Sequence, residues 1–299
     1  MVPPIISYVT FNRVGLTIRN LSAILQSTDD FEMHIVDNGS IDGTWEYIQG
    51  LNDSRILSKT NIGTNVGQIY GINLNLLKRR PEQYFITVDN DVYIETKDWI
   101  SRLMKVFDAF PEVGLLGIKR GDPYPEFYPP VTPKSRDGVS YLELIHSTPD
   151  GEQDFVPGCC QCLRPELIQQ LGYWSEENYA GEAEISLRVN NYSSFQAGFV
   201  TDISIKMPQM IDCAQCQYNT VCKLNRPEET CFSIYQKRYN NDLFMKKFKW
   251  KFIETINDMR KGLRPIYCAS ALDGESMENH IFTLAWALEN FRFYAENSN

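Results

Sequence analysis

Short apolar runs alternate with longer amphipathic stretches over roughly the first 200 residues of the chain. The apolar runs predict strands at residues 5–10, 32–37, 55–58, 84–89 and 113–118. The amphipathic stretches carry apolar residues at helical spacing and predict helices at residues 14–26, 42–51, 66–78 and 99–110. This alternation predicts an α/β fold with a mostly parallel sheet flanked by helices.

The pattern is less regular after residue 118. Residues 120–133 are rich in proline and tyrosine, which predicts a long loop. Later strands are predicted at residues 153–157 and 199–205, and later helices at residues 164–171, 183–191 and 280–293. The composition changes near Met207, where a cysteine cluster and then a basic segment follow. We therefore expect a core domain at residues 1–206 and a helical, cysteine-containing C-terminal extension at residues 207–299.

The composition is that of an ordinary globular protein. Of the 299 residues, 43% are hydrophobic and 22% are charged, which excludes disordered, collagen-like and disulfide-dense classes. No apolar run approaches the roughly 20 residues that a membrane-spanning helix needs. The N-terminal Met1-Val2-Pro3-Pro4 has neither the basic region nor the cleavage site of a secretory signal. We therefore expect a cytoplasmic protein.

The net charge of −9 is unevenly distributed and argues against a protein that coats nucleic acid with its whole surface. One segment contains the basic residues Lys237, Arg238, Lys246, Lys247, Lys249, Lys251, Arg260, Lys261 and Arg264. Three acidic residues oppose these nine, so the segment carries +6 and the rest of the chain −15. Within it, Phe244, Phe248, Phe252 and Ile256 predict one apolar helix face. The lysines then form either a solvated face or a site for an anionic acceptor, such as nucleic acid, a membrane surface or an acidic glycan.

Polar residues and glycines follow the predicted strands, at the edge where ligands bind on parallel sheets. Asp37 precedes Asn38-Gly39-Ser40, which suits a turn and also places a carboxylate for hydrogen bonds from a nucleobase. Asn61-Ile62-Gly63 and Gly67 precede the third predicted helix. Glycines there let the backbone approach a ligand, and a helix N-terminus favours phosphate, although a simple turn explains them equally.

Asp89 and Asp91 lie at the end of the fourth predicted strand, one residue apart. In an extended chain their side chains would point to the same side. Two such carboxylates repel each other, and a hard divalent cation such as Mg²⁺ or Mn²⁺ would relieve the repulsion while binding substrate phosphates. A solvated turn is the alternative.

These motifs resemble, in their order, those of family 2 glycosyltransferases, which have the GT-A fold. The resemblance rests on Thr10 with Asn12 and Arg13, the stretch at residues 36–44, Asn61-Ile62-Gly63 and Asp89-Asn90-Asp91, and it covers roughly residues 5–205. It implies sugar transfer from a nucleotide-diphosphate-sugar donor. The donor-binding residues that it implies are Thr10, Asn12, Arg13, Asp37, Asn38, Asn61, Gly67 and Asp89. Asp37 would hold the base, and Asp91, with Asp89, would bind Mn²⁺ or Mg²⁺.

The family also has an acidic motif, Glu-Asp-x-Asp, at the start of a late helix. Aligned on Arg188, this chain places Glu182 at the catalytic-base position, and Gly181 replaces the family's glutamate. Glu182 would remove the proton of an acceptor hydroxyl in a single displacement that inverts the sugar's anomeric centre. The alternative is that Glu182 and Glu184 only favour the helix N-terminus.

One departure from the family concerns the metal. Lys206-Met207-Pro208 stands where family members often supply a metal-binding histidine, and His34 lies inside a predicted strand, where we expect a structural role. The resemblance favours a metal-dependent inverting glycosyltransferase of the hexosyltransferase class. The alternatives are an enzyme of the same fold acting on hydroxylated bases in DNA, a nucleotidyltransferase, and a degenerate domain that only binds.

Four of the eight cysteines lie within nineteen residues of the extension: Cys213, Cys216, Cys222 and Cys231. In a cytoplasmic chain this spacing predicts a metal site before it predicts disulfides. A structural Zn²⁺ is the first choice and an iron–sulfur cluster the second, while unrelated thiols are the alternative.

Overall fold

The computed structural model describes residues 2–119, 129–145, 155–178, 181–206, 220 and 242–297, and it describes Glu182 and Asp242 without their side chains. The strands are β1 (Ile5–Thr10), β2 (Glu32–Asp37), β3 (Ile56–Asn61), β4 (Phe85–Val88), β5 (Tyr93–Ile94), β6 (Val113–Ile118), β7 (Val131–Arg136), β8 (Val139–Leu144), β9 (Cys160–Leu163), β10 (Gln196–Val200) and β11 (Ile205–Lys206). The helices are α1 (Val14–Leu25), α2 (Thr44–Gly50), α3 (Gln68–Leu76), α4 (Trp99–Ala109), α5 (Pro165–Leu171), α6 (Gly181–Tyr192), α7 (Asp242–Arg260), α8 (Gly274–Asn279) and α9 (Leu284–Glu296).

In the described part of the chain, nine strands form one sheet in the order β3-β2-β1-β4-β9-β6-β10-β8-β7. Strands β3, β2, β1 and β4 pair in parallel, as do β6 and β10. Strand β9 runs antiparallel between β4 and β6, and β5 pairs with β11 in a separate two-stranded sheet. The predicted α/β fold with a mostly parallel sheet and flanking helices is therefore confirmed.

Alternate residues of the buried strands build a core on each side of the sheet. In β1, Ile6 and Tyr8 pack with helices α1, α2 and α4, whereas Ile5 and Val9 pack with α3, α5 and α6. Because both faces are covered, the central strands are apolar throughout, which is why their sequence signal is strong.

Two predicted regions fold differently. The strand expected at residues 153–157 is wrong for the described residues 155–157, and β9 begins instead at Cys160. The expected loop at residues 120–133 contains the start of β7, which forms a hairpin with β8. Pro133 fits there because β7 is an edge strand, where a missing N–H is tolerated. The turn is Asp137-Gly138, with φ of 52° and 78°, a dipeptide that favours tight hairpins.

The strand predicted at residues 199–205 is divided between two sheets. Strand β10 ends at Val200 in the large sheet, and β11 begins at Ile205 beside β5. Lys206 then lies opposite Tyr93 and forms an ion pair with Glu95 at 2.5 Å.

The C-terminal helices pack against the core. Phe252 and Ile256 of α7 are buried against Leu187 of α6, which confirms the apolar helix face predicted for this segment. Lys251 departs from the predicted solvated face, because it is buried and its Nζ lies 2.5 Å from Glu289 Oε2. No helix in the described part of the chain combines the length and the apolar character that crossing a membrane requires.

His34 lies inside β2 and contacts its neighbour strand. Its Nδ1 lies 2.7 Å from Ser58 Oγ, and Lys78 Nζ donates to the same oxygen at 2.8 Å. Since an ammonium can only donate, Ser58 accepts from Lys78, and its hydroxyl also hydrogen-bonds to Nδ1. Burial first, and then the charge of Lys78, lower the pKa of His34 to about 4.

We expect His34 to make the protein less stable as the pH falls from about 6.5 to about 4, because the unfolded chain then takes up a proton that the folded chain rejects. His34 contributes at most about 1.4 kcal/mol per pH unit to the slope of the free energy of unfolding against pH. Urea unfolding of wild type and His34→Gln between about pH 5 and 7 measures it, and parallel curves for the two proteins would contradict the assignment.

Candidate donor-binding and catalytic site

Strand register brings three of the predicted residues into one row. Thr10 is the register partner of Asp37 across β1 and β2, and Asp37 is the partner of Asn61 across β2 and β3. All three are the last residues of their strands, so they meet at the carboxyl edge of the parallel sheet. This is the edge where α/β sheets bind their ligands.

Asp37 is fully buried, and its two carboxylate oxygens differ. Oδ1 accepts hydrogen bonds from the backbone N–H of Ser40 at 2.8 Å and of Gly39 at 3.1 Å, and from Asn61 Nδ2 at 3.1 Å. Oδ2 is buried without a hydrogen-bond partner among the described residues. Burial raises the pKa of Asp37, although its donors oppose that shift. The carboxylate is thus fixed through one oxygen and has acceptor capacity on the other.

The loops after β2 and β3 touch backbone to backbone. Gly39 has a φ of 77°, and a Cβ at this position would lie 2.6 Å from the backbone of Gly63 and Thr64. Only glycine fits both the left-handed conformation and this close approach. Asn38 Nδ2 extends the contact by donating to Gly67 O at 3.2 Å. Gly67 in turn contacts the ring of Tyr294, so its missing side chain makes room for α9.

Asn12 and Arg13 form a strained turn between β1 and α1, with φ of 54° and 64°. Two hydrogen bonds hold it to the loop after β2. The N–H of Asn12 donates to Ser40 Oγ at 2.7 Å, and Asn12 Oδ1 accepts from the N–H of Ile41 at 3.0 Å. The predicted donor-binding residues of the first and second strands are therefore directly connected.

Asp42 was not among the predicted site residues, yet it organises the same edge. It is fully buried, and its Oδ2 accepts from the N–H of Val14 at 2.7 Å. Its Oδ1 accepts from the N–H and the hydroxyl of Thr44, at 3.0 and 2.6 Å. One carboxylate thus caps the first turns of α1 and α2 together.

Asp89 and Asp91 do not lie on an extended strand, which corrects the expected same-side arrangement. Strand β4 ends at Val88, and residues 90 and 91 form a turn. Asn20 of α1 closes this turn by donating its side-chain amide to the carbonyls of Asp89 and Val92. In a turn, side chains do not alternate between two sides as they do in a strand. The spacing of Asp89 and Asp91 alone therefore did not predict the directions of their side chains.

Each carboxylate of the pair has its own contact. Gln68, the first residue of α3, donates its Nε2 to Asp89 Oδ1 at 2.6 Å. Arg13 Nη1 lies 3.1 Å from Asp91 Oδ2, and this ion pair is partly exposed. Asn90 between them donates to Thr10 Oγ1 at 2.8 Å. The predicted residues of the first and fourth strands are therefore brought together with the start of α3.

Helix α6 carries the predicted catalytic base. Glu182 lies in its first turn, and its side chain is outside the described part of the chain. Glu184 and Arg188 form a buried ion pair with a distance of 2.6 Å between Oε1 and Nε. Gly181 lies so close to Ile69 that a Cβ would approach the Ile69 side chain to 2.3 Å. A side chain in place of Gly181 would therefore require the Ile69 side chain to shift.

The description Glycosyl transferase family 2 belongs to a family model that matches residues 6–172, more than half of the chain. The chain belongs to glycosyltransferase family 2. This family membership confirms the resemblance that its motifs showed. No curated protein matches the chain.

Solved structures are similar in fold to this chain. Mannosyltransferase PcManGT from Pyrobaculum calidifontis, in complex with GDP-Man and Mn²⁺, is 17% identical with a TM-score of 0.52, and the match covers 67% of this chain and 55% of that chain. S. aureus TarS 1-349, in complex with UDP, is 18% identical with a TM-score of 0.51, covering 67% and 58%. The chain thus spans little more than half the length of these structures. Their likeness establishes the GT-A fold.

The predicted cysteine metal site lies outside the part of the chain that the structure describes. Cys213, Cys216, Cys222 and Cys231 lie outside the described residues, so the zinc cluster stays a prediction. Within the described residues, four cysteines are buried and form no disulfide: Cys159, Cys160, Cys162 and Cys268. Within the same described residues, no group of three or more His, Cys, Asp or Glu side chains could hold a metal ion.

The loop before α6 contains two buried glutamates that sequence reasoning missed. Glu176 Oε1 accepts from Asn73 Nδ2 of α3 at 2.7 Å and from Ser270 Oγ at 2.5 Å, and its Oε2 accepts from the N–H of Ala271. Burial raises the pKa of Glu176. The carboxylate therefore joins the core to the C-terminal region.

Glu177 forms a second connection to the C-terminal region. Both of its oxygens accept from Arg264, at 2.6 and 2.8 Å, and the N–H of Thr283 donates to Oε1 at 2.6 Å. Arg264 and Glu177 are 87 residues apart in the chain. The Arg264 side chain is thus buried, so this member of the basic segment adds no exposed charge.

We expect Arg264→Ala to lower the free energy of unfolding by about 3–5 kcal/mol, because it leaves Glu177 buried without its cation. The matched control is Arg136→Ala, which removes an ion pair whose two side chains are nearly half exposed. That change is expected to cost about 1 kcal/mol or less. Urea unfolding measures both variants, and equal losses would contradict the role of the Glu177–Arg264 pair.

Proposed function

We propose that this glycosyltransferase moves a hexosyl group from a nucleotide-diphosphate sugar to a hydroxyl acceptor, with a divalent cation and inversion of the anomeric centre. The observation that carries the proposal is the meeting of Asp37, Asp89 and Asp91 at one edge of the sheet. The proposal is supported by similarity of fold to two solved complexes, PcManGT with GDP-Man and Mn²⁺ and TarS with UDP.

Asp37 is the proposed contact for the nucleobase. Its Oδ1 is held by three donors, while Oδ2 has none among the described residues. A buried acceptor without a donor costs free energy, and an N–H group on a base edge would satisfy it. Asn61, which donates to Asp37, and Asn38 keep the surrounding loops in place.

The residues at the turn after β4 fit a divalent cation. Mg²⁺ and Mn²⁺ take oxygen ligands, and Mg²⁺ is commonly bound by one or two carboxylates together with substrate phosphates. Asp91 is partly exposed, and Asp89 and Asp91 both belong to the turn that Asn20 closes, so these two carboxylates would hold the ion. When bound, the cation would neutralise charge that develops on the leaving diphosphate. Arg13 fixes the orientation of Asp91 and adds positive charge beside it.

Glu182 is the proposed base that accepts the proton of the acceptor hydroxyl. The ion pair of Glu184 with Arg188, which also donates to the carbonyls of Leu171 and Tyr173, fixes the helix that carries Glu182. One displacement at the anomeric carbon needs a single base and no covalent sugar–enzyme intermediate. The expected product therefore has the inverted configuration.

A donor panel tests the reaction class. UDP-, GDP- and dTDP-sugars with Mn²⁺ are incubated with the full chain, and the released nucleoside diphosphate is measured. We expect release that falls about tenfold or more in Asp91→Ala, because a cation ligand is lost. The control Asp202→Ala removes an exposed carboxylate far along the chain and should leave the rate unchanged.

Equal rates for Asp91→Ala and wild type would refute the metal assignment. Pyrophosphate released from nucleoside triphosphates, with no release from sugar nucleotides, would instead identify a nucleotidyltransferase.

For Glu182→Gln we expect an unchanged donor dissociation constant and a loss of donor hydrolysis of about 100-fold or more, because water stands in for the acceptor and loses its base. Calorimetric titration gives the first quantity and the rate of release gives the second. The comparison variant Glu184→Gln should instead lower the free energy of unfolding, because it leaves Arg188 buried without its partner. A Glu182→Gln enzyme with the wild-type rate would exclude Glu182 as the base.

A further inference from the structure

The first turn of α3 is held by contacts from several directions. Gly67 is the N-cap residue of α3, with a φ of 90°, and it has no side chain with which to cap the helix. Its N–H donates to Asn65 Oδ1 at 3.0 Å, and its carbonyl accepts from Asn38 Nδ2 at 3.2 Å. Because glycine has more conformational freedom than any other residue, the start of the helix depends on these contacts and on the packing around it.

Helix α9 packs against this turn through two aromatic side chains. A Cβ on Gly67 would lie 2.6 Å from the ring of Tyr294, so the ring lies directly against the Gly67 backbone. Phe291, three residues earlier on the same side of α9, makes an edge contact with Tyr70 at 5.3 Å between ring centroids. Helix α9 therefore fills the space that the missing side chain of Gly67 leaves beside α3.

Helix α9 is itself fixed to the loop before α6. The N–H of Thr283, the N-cap residue of α9, donates to Glu177 Oε1 at 2.6 Å. Asn290 is buried, and its Nδ2 donates to the carbonyls of Glu176 and Asn178 at 3.1 and 3.2 Å. The position of α9 beside α3 is thus set by directional hydrogen bonds as well as by apolar contact.

The turn that Tyr294 supports also orients a carboxylate of the proposed donor site. Gln68 follows Gly67 directly, and its Nε2 donates to Asp89 Oδ1 at 2.6 Å. A shift of the first turn of α3 would move this amide, and Asp89 would lose the hydrogen bond that orients it. Contacts thus run without a break from the tyrosine ring on α9 to the carboxylate after β4.

We propose that Tyr294 is a positioning residue for binding of the donor and its cation: its ring holds the first turn of α3 where Gln68 orients Asp89. This inference rests on the proposed function, since it needs Asp89 to bind the donor or the cation. Tyr294 takes no part in the chemical step, so its loss should change the Michaelis constant of the donor far more than the turnover number. A side chain that only stabilised the fold would lower the amount of folded enzyme and leave that constant unchanged.

Donor-release kinetics of the full chain test the proposal, with Mn²⁺ and the sugar nucleotide that wild type uses fastest. We expect Tyr294→Ala to raise the Michaelis constant of the donor about tenfold, while the turnover number changes less than about threefold. Tyr294→Phe keeps the ring carbons that lie against Gly67 and should restore the wild-type constant. The matched control Trp286→Ala removes another large ring of α9, which contacts Trp250 of α7, and should leave the constant unchanged.

A double-mutant cycle with Gln68→Ala tests whether Tyr294 acts through the turn. Gln68→Ala alone should raise the same constant by a similar factor, because Asp89 loses the same donor. The double variant should then be no more impaired than Gln68→Ala, whereas two independent residues would multiply their effects. Multiplied effects, a wild-type constant in Tyr294→Ala, or equal impairment in Trp286→Ala would overturn the proposal.

Hydrogen exchange measures the hold on α3 without any donor. The N–H groups of residues 71–74 bond to the carbonyls of the first turn of α3. In Tyr294→Ala these amides should exchange about tenfold faster than in wild type, with no comparable change in Tyr294→Phe or Trp286→Ala. A wild-type chain that releases no nucleoside diphosphate from any sugar nucleotide would refute the proposed function. An active wild type, with unchanged exchange and an unchanged Michaelis constant in Tyr294→Ala, would refute only this inference.

Discussion

Burial of carboxylates at and near one edge of the sheet is the constraint on which this structure depends. Asp37, Asp42, Glu176, Glu177 and Glu184 are almost completely buried, and a buried carboxylate is costly unless donors or cations compensate it. Glu184 is compensated by Arg188 of its own helix, and each of the others is compensated at least in part by a group from another element or turn. The loops and helix starts at this edge are therefore held by directional bonds to their neighbours, which is how a site built from loops keeps a defined shape.

The same constraint connects the C-terminal region to the core. Glu176 and Glu177 receive donors from Ser270, Arg264 and Thr283, all of which follow the core in the chain. Without those donors, two carboxylates before α6 would have to leave the interior, and the position of α6 would change with them. The predicted boundary at residue 206 thus divides the sequence into two segments. In their described parts, buried glutamates of the first segment are compensated by donors of the second.

The central strands could be predicted from sequence because burial on both faces makes them continuous apolar runs. Strands β1, β2 and β6 have the predicted bounds, since turn residues follow β1 and β2. Strand β9 was not predicted because its sequence, Cys-Gln-Cys-Leu, shows no clear strand pattern. It forms a strand because it pairs with β4 on one side and β6 on the other. The β7–β8 hairpin had a usable signal in Asp137-Gly138, but the prolines before it suggested a loop.

The residues at the strand ends were predictable for a similar reason, since parallel register places consecutive strand ends side by side. The sequence alone did not predict which residues far apart in the chain form ion pairs or hydrogen bonds with each other. The pair of Glu177 with Arg264 and the cap formed by Asp42 depend on tertiary contacts that no local pattern encodes. The side-by-side acids of the Ser-Glu-Glu-Asn loop look like surface residues until Arg264 is placed beside them.

The ion pair of Arg13 with Asp91 gives the proposed cation site a definite electrostatic character. With Asp89 nearby, the turn after β4 holds two carboxylates and one guanidinium, an excess of negative charge. A divalent cation alone would reverse the sign of this charge, and a diphosphate alone would increase the repulsion. The two carry opposite charges of about equal size, so together they leave the balance unchanged. Donor and cation are therefore expected to favour each other's binding. Arg13 lies between Asp91 and the start of α1, so its guanidinium is the group that can move from Asp91 to a phosphate when donor and cation bind.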